Sequence, residues 1–484
     1  MNGEAFPRLV IAGLSGDAGK TFVSIGVALA ARAAGCRVRA FKKGPDYIDA
    51  AWLRWASDDV VRNLDTFLMG TAGAVASFFR HALDGRSASA ARDEALNLIE
   101  GNRGLFDGAD VAGTDSTAVL AKALAAPVVL VLNVRKMTRT AAACVRGCQA
   151  LDPDLALAGV ILNQVAGERH ESVVRQAIER ECGIPVLGAI PRLDDARLPG
   201  RHLGLITPAE HPAIEEAGRV ALDAVRQHVN VGALIEAARA AGPAECPPQA
   251  MWRANDSSRK NAFRDVGAGP TIGYVCDSAF SFYYPENLEA LAARGATLVP
   301  ISSLSGEPLP GHLDALYIGG GFPETHANAL SANVSLRTSI RAGAKAGLPI
   351  YAECGGLMLL ARSVIWQGRR HDMADVLPID VEVGSRPQGH GYVRLRVDRD
   401  NPFFGGGQEL RGHEFHYSRI VGAGDRVPGD LPTACAIERG TGCGGGRDGI
   451  VVGNVWASYT HLHALGAPAW ADGLVAAATK AAGR

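Results

Sequence analysis

No run of about 18 apolar residues occurs in the 484-residue sequence, which leaves no candidate for a membrane-spanning helix. Neither charge sign is in excess: 49 Lys and Arg nearly cancel 50 Asp and Glu. Nothing global therefore favours nucleic acid or a membrane surface, although a local charged pocket remains open. The nine cysteines contain no CxxC pair and no Cys/His ladder with zinc spacing. Cys144 and Cys148, four apart on a predicted helix, read as small residues packing on one face. The opening MNGEAFPRLVIAGLSGDAGKT has too short an apolar stretch for a signal peptide and runs into a catalytic-looking loop. A cytoplasmic location with mostly reduced thiols is the expectation. There is no internal repeat.

What is present is the composition of a globular protein, 47% apolar and 20% charged, at a length that predicts two or three domains. Apolar strands at 8–13, 37–41, 96–100, 127–134, 157–165 and 185–191 alternate with helical stretches, one at 20–34 and another at about 213–239. They are apolar on both faces, as in a parallel sheet covered by helices. Residues 240–270 are polar, contain Pro and Gly and lack periodicity, so they read as a linker. A second α/β unit starts at TIGYVCD (271–277) and continues through ATLVPIS, LDALYIGGG and GLPIYAECGG. From about 380 short strands and turns follow. GTGCGGG (440–446) resembles a dinucleotide fingerprint but lacks a following helix, so a surface hairpin loop is the better reading.

GLSGDAGKT, Gly13 to Thr21, lies between a strand and a helix, the context a phosphate-binding loop requires. Gly16 and Gly19 let backbone N–H groups converge on phosphate oxygens, Lys20 would reach the β- and γ-phosphates of ATP, and Thr21 would bind Mg²⁺. The match to G-x-x-x-x-G-K-[ST] is imperfect, because Leu14 holds the first glycine position. FKKGPDYID (41–49) and LNLIEGNRGLFDG (96–108) place Lys42, Asp46, Tyr47, Asp49, Glu100 and Asp107 beyond the carboxyl ends of strands, the ligand-binding edge of a doubly wound sheet. Glu100, ending an apolar strand beside the loop, is a natural Mg²⁺ partner. Ser116 or Thr117 could contact an anion or simply cap a helix. Asn163 could read an adenine edge or cap a turn.

In the second unit LPIYAECGGLMLLARSV (348–364) is a strand, a tight turn and a helix with Cys354 at the turn, the thiol counterpart of a nucleophile elbow. A helix N-terminus there should lower the thiol pKa. The Gly355 N–H can join an oxyanion hole, and the turn Gly319–Gly321 suits a second donor at Gly321. VVGNVWASYTHLHAL (451–465) ends a strand with His461 and His463, of which His461 is the better base for a Cys–His pair.

FKKGPDYID, EGNRGLFDG, GGGFPE, AECGG, RGHEFHYS and SYTHLHA together resemble the cobyrinic acid a,c-diamide synthase family, over nearly the whole chain. The resemblance implies a P-loop synthetase domain related to dethiobiotin synthetase at 1–239, a linker at 240–270, and a class I glutamine amidotransferase domain of flavodoxin-like fold at 271–484. It implies ATP, Mg²⁺, L-glutamine and a tetrapyrrole polycarboxylate as reactants and ligands, two amidations at the a and c side chains, and a homodimer as a candidate assembly. Cys354 becomes the glutaminase nucleophile, and His461 the group that raises its nucleophilicity. Asp46, Asp49, Glu100 and Asp107 fall on acidic positions tied to nucleotide, Mg²⁺ or substrate. The usual acidic third member of the triad is missing in the family, and His463 stands where related glutaminases have Glu. The chemistry of the motif His413–Ser418 stays open.

Two departures, a glycine at 16 rather than 17 and Glu-Gly-Asn-Arg where Glu-Gly-Val-Met is common, resemble a branch that amidates sirohaem or sirohydrochlorin. A rival of another class is a P-loop switch ATPase with a binding-only amidotransferase-like domain. The intact Cys354 and His461 argue against it.

Overall fold

The computed structural model describes residues 6–83, 95–193, 214–244, 269–422 and 432–483. The chain divides into two compact units, Met1–Asn255 and Asp256–Arg484. Most of the expected linker, 245–268, lies outside the described residues.

In the first unit β1 (Arg8–Gly13), β2 (Val38–Lys43), β3 (Arg62–Leu64), β4 (Leu96–Glu100), β5 (Val128–Asn133), β6 (Leu157–Val165) and β7 (Val186–Pro191) form one parallel sheet in the order β3-β2-β4-β1-β5-β6-β7. Strands β1, β2 and β4 are buried throughout, which is why they are almost continuously apolar or carry only paired charges. The register sets Lys42 and Ile11 on either side of Glu100, so the carboxyl ends of β1, β2 and β4 open on one edge. Helix α1 (Lys20–Ala33) starts at that edge. A glycine at 26 lets the helix Ile214–His228 approach, since a Cβ there would sit 2.5 Å from the Ala221 carbonyl. The helical stretch expected at 213–239 is two helices, Ile214–His228 and Val231–Arg239. The second begins at Asn230, whose side chain accepts from the Ala233 N–H. Strand β3, three residues long, is too short for any periodicity to reveal.

In the second unit a ten-stranded sheet runs His461–Leu462, Glu409–His416, Gly389–Val397, Thr433–Arg439, Arg447–Val452, Val455–Ser458, Ile350–Glu353, Ala315–Ile318, Thr271–Val275, Thr297–Ile301. The last five are parallel; the others pair antiparallel. A separate four-stranded sheet is built from Arg369–Asp372, Ser363–Trp366, Asp380–Val383 and Ser418–Val421. Residues 440–446 connect two antiparallel strands, as the hairpin reading expects. One face of the large sheet packs Tyr317, Tyr351, Trp456 and Trp470 into an aromatic core. Among the described residues, no helix is long and apolar enough to cross a membrane.

Candidate active site

The turn after β1 has the shape expected of a phosphate loop. Gly16–Ala18 make one 3₁₀ turn, and Gly19 caps α1 at φ +94°, a conformation that disfavours a side chain. A Cβ on Gly19 would also lie 2.2 Å from Asn163 Nδ2. Asn163 donates to the Ala18 carbonyl at 2.9 Å and accepts from the Gln164 N–H, so its amide buttresses the loop. Lys20 is buried and folds over the loop, donating to the carbonyls of Ser15 (2.9 Å) and Arg103 (2.8 Å). Burial, and then neighbouring Lys42, lowers Lys20 to about 8.

Beside the loop lies a charged cluster. Lys42, fully buried, bonds Asp49 Oδ2 at 2.6 Å and Glu100 Oε1 at 2.8 Å. Burial alone would lower Lys42, but these two carboxylates more than offset it and hold its pKa above the usual value. Thr21 Oγ1 donates to Glu100 Oε1 at 2.8 Å and lies 3.2 Å from Asp49 Oδ1. Burial raises Glu100 despite Lys42, whereas Asp49, also desolvated, is held low by Lys42. Asp46 is the N-cap of the helix Tyr47–Ser57, accepting from the N–H groups of Ile48 and Asp49. Burial and then Asp49 push Asp46 up to about 7. Tyr47 opens that helix. Asp107 closes its own turn by accepting from the Gly104 N–H, and Ser116 caps the helix Thr117–Ala123 through the Val119 N–H. Thus Thr21, Lys42, Asp49 and Glu100 converge, while the side chains of Asp46, Asp107 and Ser116 hold the local backbone.

In the second unit the strand Ile350–Glu353 breaks at Cys354, whose φ of +47° and ψ of −98° are those of a strained elbow before the helix Gly355–Leu360. The turn is tied down by the Cys354 N–H donating to the Ser458 carbonyl at 2.7 Å. The backbone is crowded at Gly355 and closed to a side chain at Gly321. A Cβ on Gly355 would reach within 3.0 Å of the Gly321 N, and one on Gly321 would collide with the Ala279 carbonyl. The two expected oxyanion glycines are therefore neighbours in space. The expectation of a lowered thiol pKa fails. Burial, and then Glu324, pushes Cys354 well up, and the one helical N–H on the sulfur side does not compensate.

His461 is buried, and Gly320 crowds its ring: a Cβ there would lie 2.4 Å from Cε1. Across the antiparallel register His413 stacks on it, centroids 5.1 Å apart. Its Nδ1 lies 3.4 Å from Glu353 Oε2. His463 points elsewhere, with Nε2 3.6 Å from Glu286 and its ring 4.7 Å from that of Tyr284.

With both geometries in view, relatives decide the family. Residues 9–206 match the CobQ/CobB/MinD/ParA nucleotide binding domain, and residues 271–469 the CobB/CobQ-like glutamine amidotransferase domain. A cobyrinate a,c-diamide synthase of Magnetococcus marinus is 42% identical over 470 residues, 96% of each chain. Those of Archaeoglobus fulgidus and Methanothermobacter thermautotrophicus are 39% and 38% identical, over 95% and 96% of this chain and 94% and 98% of theirs. The chain belongs to the cobyrinate a,c-diamide synthase family.

Strand pairing gives the motif His413–Ser418 a place. The strand carrying RGHEFH is the one that lays His413 against His461, and Glu414 accepts from the N–H groups of Thr441 and Gly442, pinning the hairpin loop. Two buried acids near the histidine, Asp448 and Glu353, are absent from the candidates named in the sequence. Asp448 accepts from the backbone of Gly449, Tyr459 and Thr460 and from the Thr460 hydroxyl, holding the segment that ends in His461. Glu353 ends an apolar strand as Glu100 does, and that shared pattern is the signal that could have flagged it.

Proposed function

We propose that this chain is a cobyrinate a,c-diamide synthase. It amidates the a and c carboxylates of cobyrinate with ammonia from glutamine, at the expense of ATP. The reading assigns ATP-dependent synthesis to 1–239, a linker to 240–270 and glutaminase chemistry to 271–484, in a cytoplasmic enzyme that works as a homodimer. The observation that carries it is the coexistence, on one chain with full-length relatives 38–42% identical, of a P-loop lysine beside a buried acid cluster and a strained cysteine elbow tied to Ser458, three residues before a buried histidine.

In the glutaminase half the Cys354 thiol, kept protonated by burial, must give its proton to His461 as it attacks the glutamine side-chain carbonyl. The carbon–sulfur bond forms and the carbon–nitrogen bond breaks. The imidazolium returns the proton to the departing nitrogen, and ammonia leaves. Water, deprotonated by the same ring, opens the thioester to glutamate and restores the thiol. The N–H groups of Gly321 and Gly355 face the oxyanion. In the synthetase half Lys20 stabilises charge on the phosphoryl group moving from ATP to a substrate carboxylate, and ammonia displaces phosphate from the acyl phosphate. Asp46, Tyr47, Asp49, Asp107, Ser116 and Lys42 line the edge that receives nucleotide or macrocycle.

Mg²⁺ fits this edge. Glu100 Oε2 is buried without a hydrogen-bond partner, and Thr21 Oγ1 and Asp49 Oδ1 add hard oxygens beside it. Thr21 and Glu100 would hold the ion, which offsets negative charge on the phosphates. Mass spectrometry of products from cobyrinate, sirohydrochlorin and sirohaem, each with glutamine and ATP, tests the reading. Two mass shifts of an acid-to-amide exchange on cobyrinate are expected. Amidation confined to sirohaem or sirohydrochlorin would transfer the chain to the branch that its Asn102 and Arg103 resemble. No product with any of the three, alongside ATP turnover, would sink the amidation reading.

A further inference from the structure

Glu353 is wholly buried, and a buried carboxylate is costly unless its oxygens are well satisfied. Its partners are the Tyr351 hydroxyl (3.1 Å) and the Leu462 N–H (3.2 Å) on Oε1, and the Tyr317 hydroxyl (3.3 Å) and His461 Nδ1 (3.4 Å) on Oε2. No lysine or arginine is among them. Every partner is a donor if His461 carries its proton on Nδ1, and that tautomer leaves Nε2 as the acceptor. A carboxylate so placed is the arrangement that fixes a catalytic imidazole in serine and cysteine hydrolases.

We propose that Glu353 is the positioning acid of the glutaminase pair, standing one residue before the nucleophile instead of two residues after the histidine. The inference rests on reading Cys354 as nucleophile and His461 as base. His463 does not fill the role, because its ring is engaged with Tyr284 and Glu286. The location has a physical consequence. One buried strand, Ile350–Glu353, carries the positioning acid at its end and delivers the nucleophile at the next residue. Acid, thiol and base are thereby set by a single register, Glu353 against Ser458, three residues before His461. The ring is confined on its other sides by Gly320 and by His413, which burial and then His461 hold neutral. Other titratable groups near the acid and the thiol are Tyr283, Tyr317, Tyr351, Tyr459, Glu324 and Asp448, with His390 behind His413.

Glu353→Gln separates positioning from packing. An amide has one acceptor oxygen. If it serves Tyr351 and the Leu462 N–H, the amide nitrogen faces Tyr317 and His461 Nδ1. The hydroxyl can turn to accept, but the imidazole must then present a lone pair at Nδ1 and move its proton to Nε2, which disables it as a base. In the full-length protein, glutaminase kcat should fall about 10³-fold. The KM for glutamine should stay within about threefold, since the acid does not touch substrate. Amidation supported by ammonium should stay within about twofold, because that route bypasses Cys354. Glu353→Asp keeps the charge and should recover about tenfold over Glu353→Gln.

A Glu353→Gln protein with near-parent glutaminase kcat overturns the proposal. So does a parallel loss of glutaminase and ammonium-supported rates with no recovery in Glu353→Asp, which would mark a purely structural acid. If Glu353→Gln does not fold, Glu353→Asp decides: kcat reduced about 10²-fold with unchanged KM supports positioning, and unchanged kcat refutes it. Cys354→Ala, measured alongside, guards the premise. Glutaminase turnover surviving in that variant condemns the nucleophile assignment itself and not the role of Glu353 alone.

Discussion

Glu100 and Glu353 have the same sequence signature, an apolar strand of a parallel sheet ending in one acid, and both are fully buried. Their surroundings differ in kind. Glu100 crowds its two contacts, Lys42 and Thr21, onto one oxygen and leaves the other without a partner. It is balanced by a cation and has one oxygen to offer. Glu353 divides four donors between two oxygens, and none of them is a permanent cation. It is saturated, and it can only orient what already touches it. A strand-terminal acid therefore does not announce its role. The neighbours decide whether it serves an incoming ion or holds a neighbouring ring.

Removing the nucleophile should break the comparison most completely. Cys354→Ala should lower glutamine-supported amidation by more than about 10³-fold while leaving ammonium-supported amidation at elevated pH nearly intact. His461→Ala should come close to it, because burial holds the thiol protonated and no helical field substitutes for the base. Rate ratios for the two nitrogen sources check both. A next, smaller effect belongs to the other unit: Lys20→Ala should cost about 10²-fold or more with either nitrogen source, about 3 kcal/mol in the barrier, with glutaminase turnover retained.

Stability should separate the two acids. Lys42→Ala strips the cation from buried Glu100 and half-buried Asp49 and should cost roughly 3 kcal/mol or more. Glu353→Gln loses only neutral contacts and should cost about 1–3 kcal/mol. Denaturant melts of the two variants would show whether the ordering holds; equal losses would erase the distinction drawn here. Glu100→Gln should raise the magnesium concentration for half-maximal amidation about tenfold and leave glutaminase kcat alone. The smallest effect is a proton. With Lys20 lowered to about 8, ATP binding should take up a proton at about pH 8.5, and affinity should weaken as pH rises from 7 to 9. Calorimetry in buffers of different ionisation heat measures the uptake, which Lys20→Ala should abolish.

The sequence by itself determined the local devices. Glycines at 16 and 19 ahead of Lys20 and Thr21, the A-E-C-G-G elbow and the two runs of both-face-apolar strands are short-range patterns, and each maps onto one strand–turn–helix step. It also named the pair Cys354 and His461. What it could not supply is anything settled by desolvation or by a partner distant in the chain. The thiol was expected to be acidic from its place at a helix start, and burial reversed the sign. For Asn163 and Ser116 the sequence left ligand contact and local capping both open, and the backbone contacts with Ala18, Gln164 and Val119 appear only in the fold. His463 stands where related glutaminases have Glu, two residues after His461. In a strand, alternate residues share a face only while the extension continues, and here the chain turns after Leu462. The acid that reaches His461 comes instead from Glu353, 108 residues earlier. Only the pairing of strands brings those two side chains together, because register is a property of the sheet and is written in no single segment.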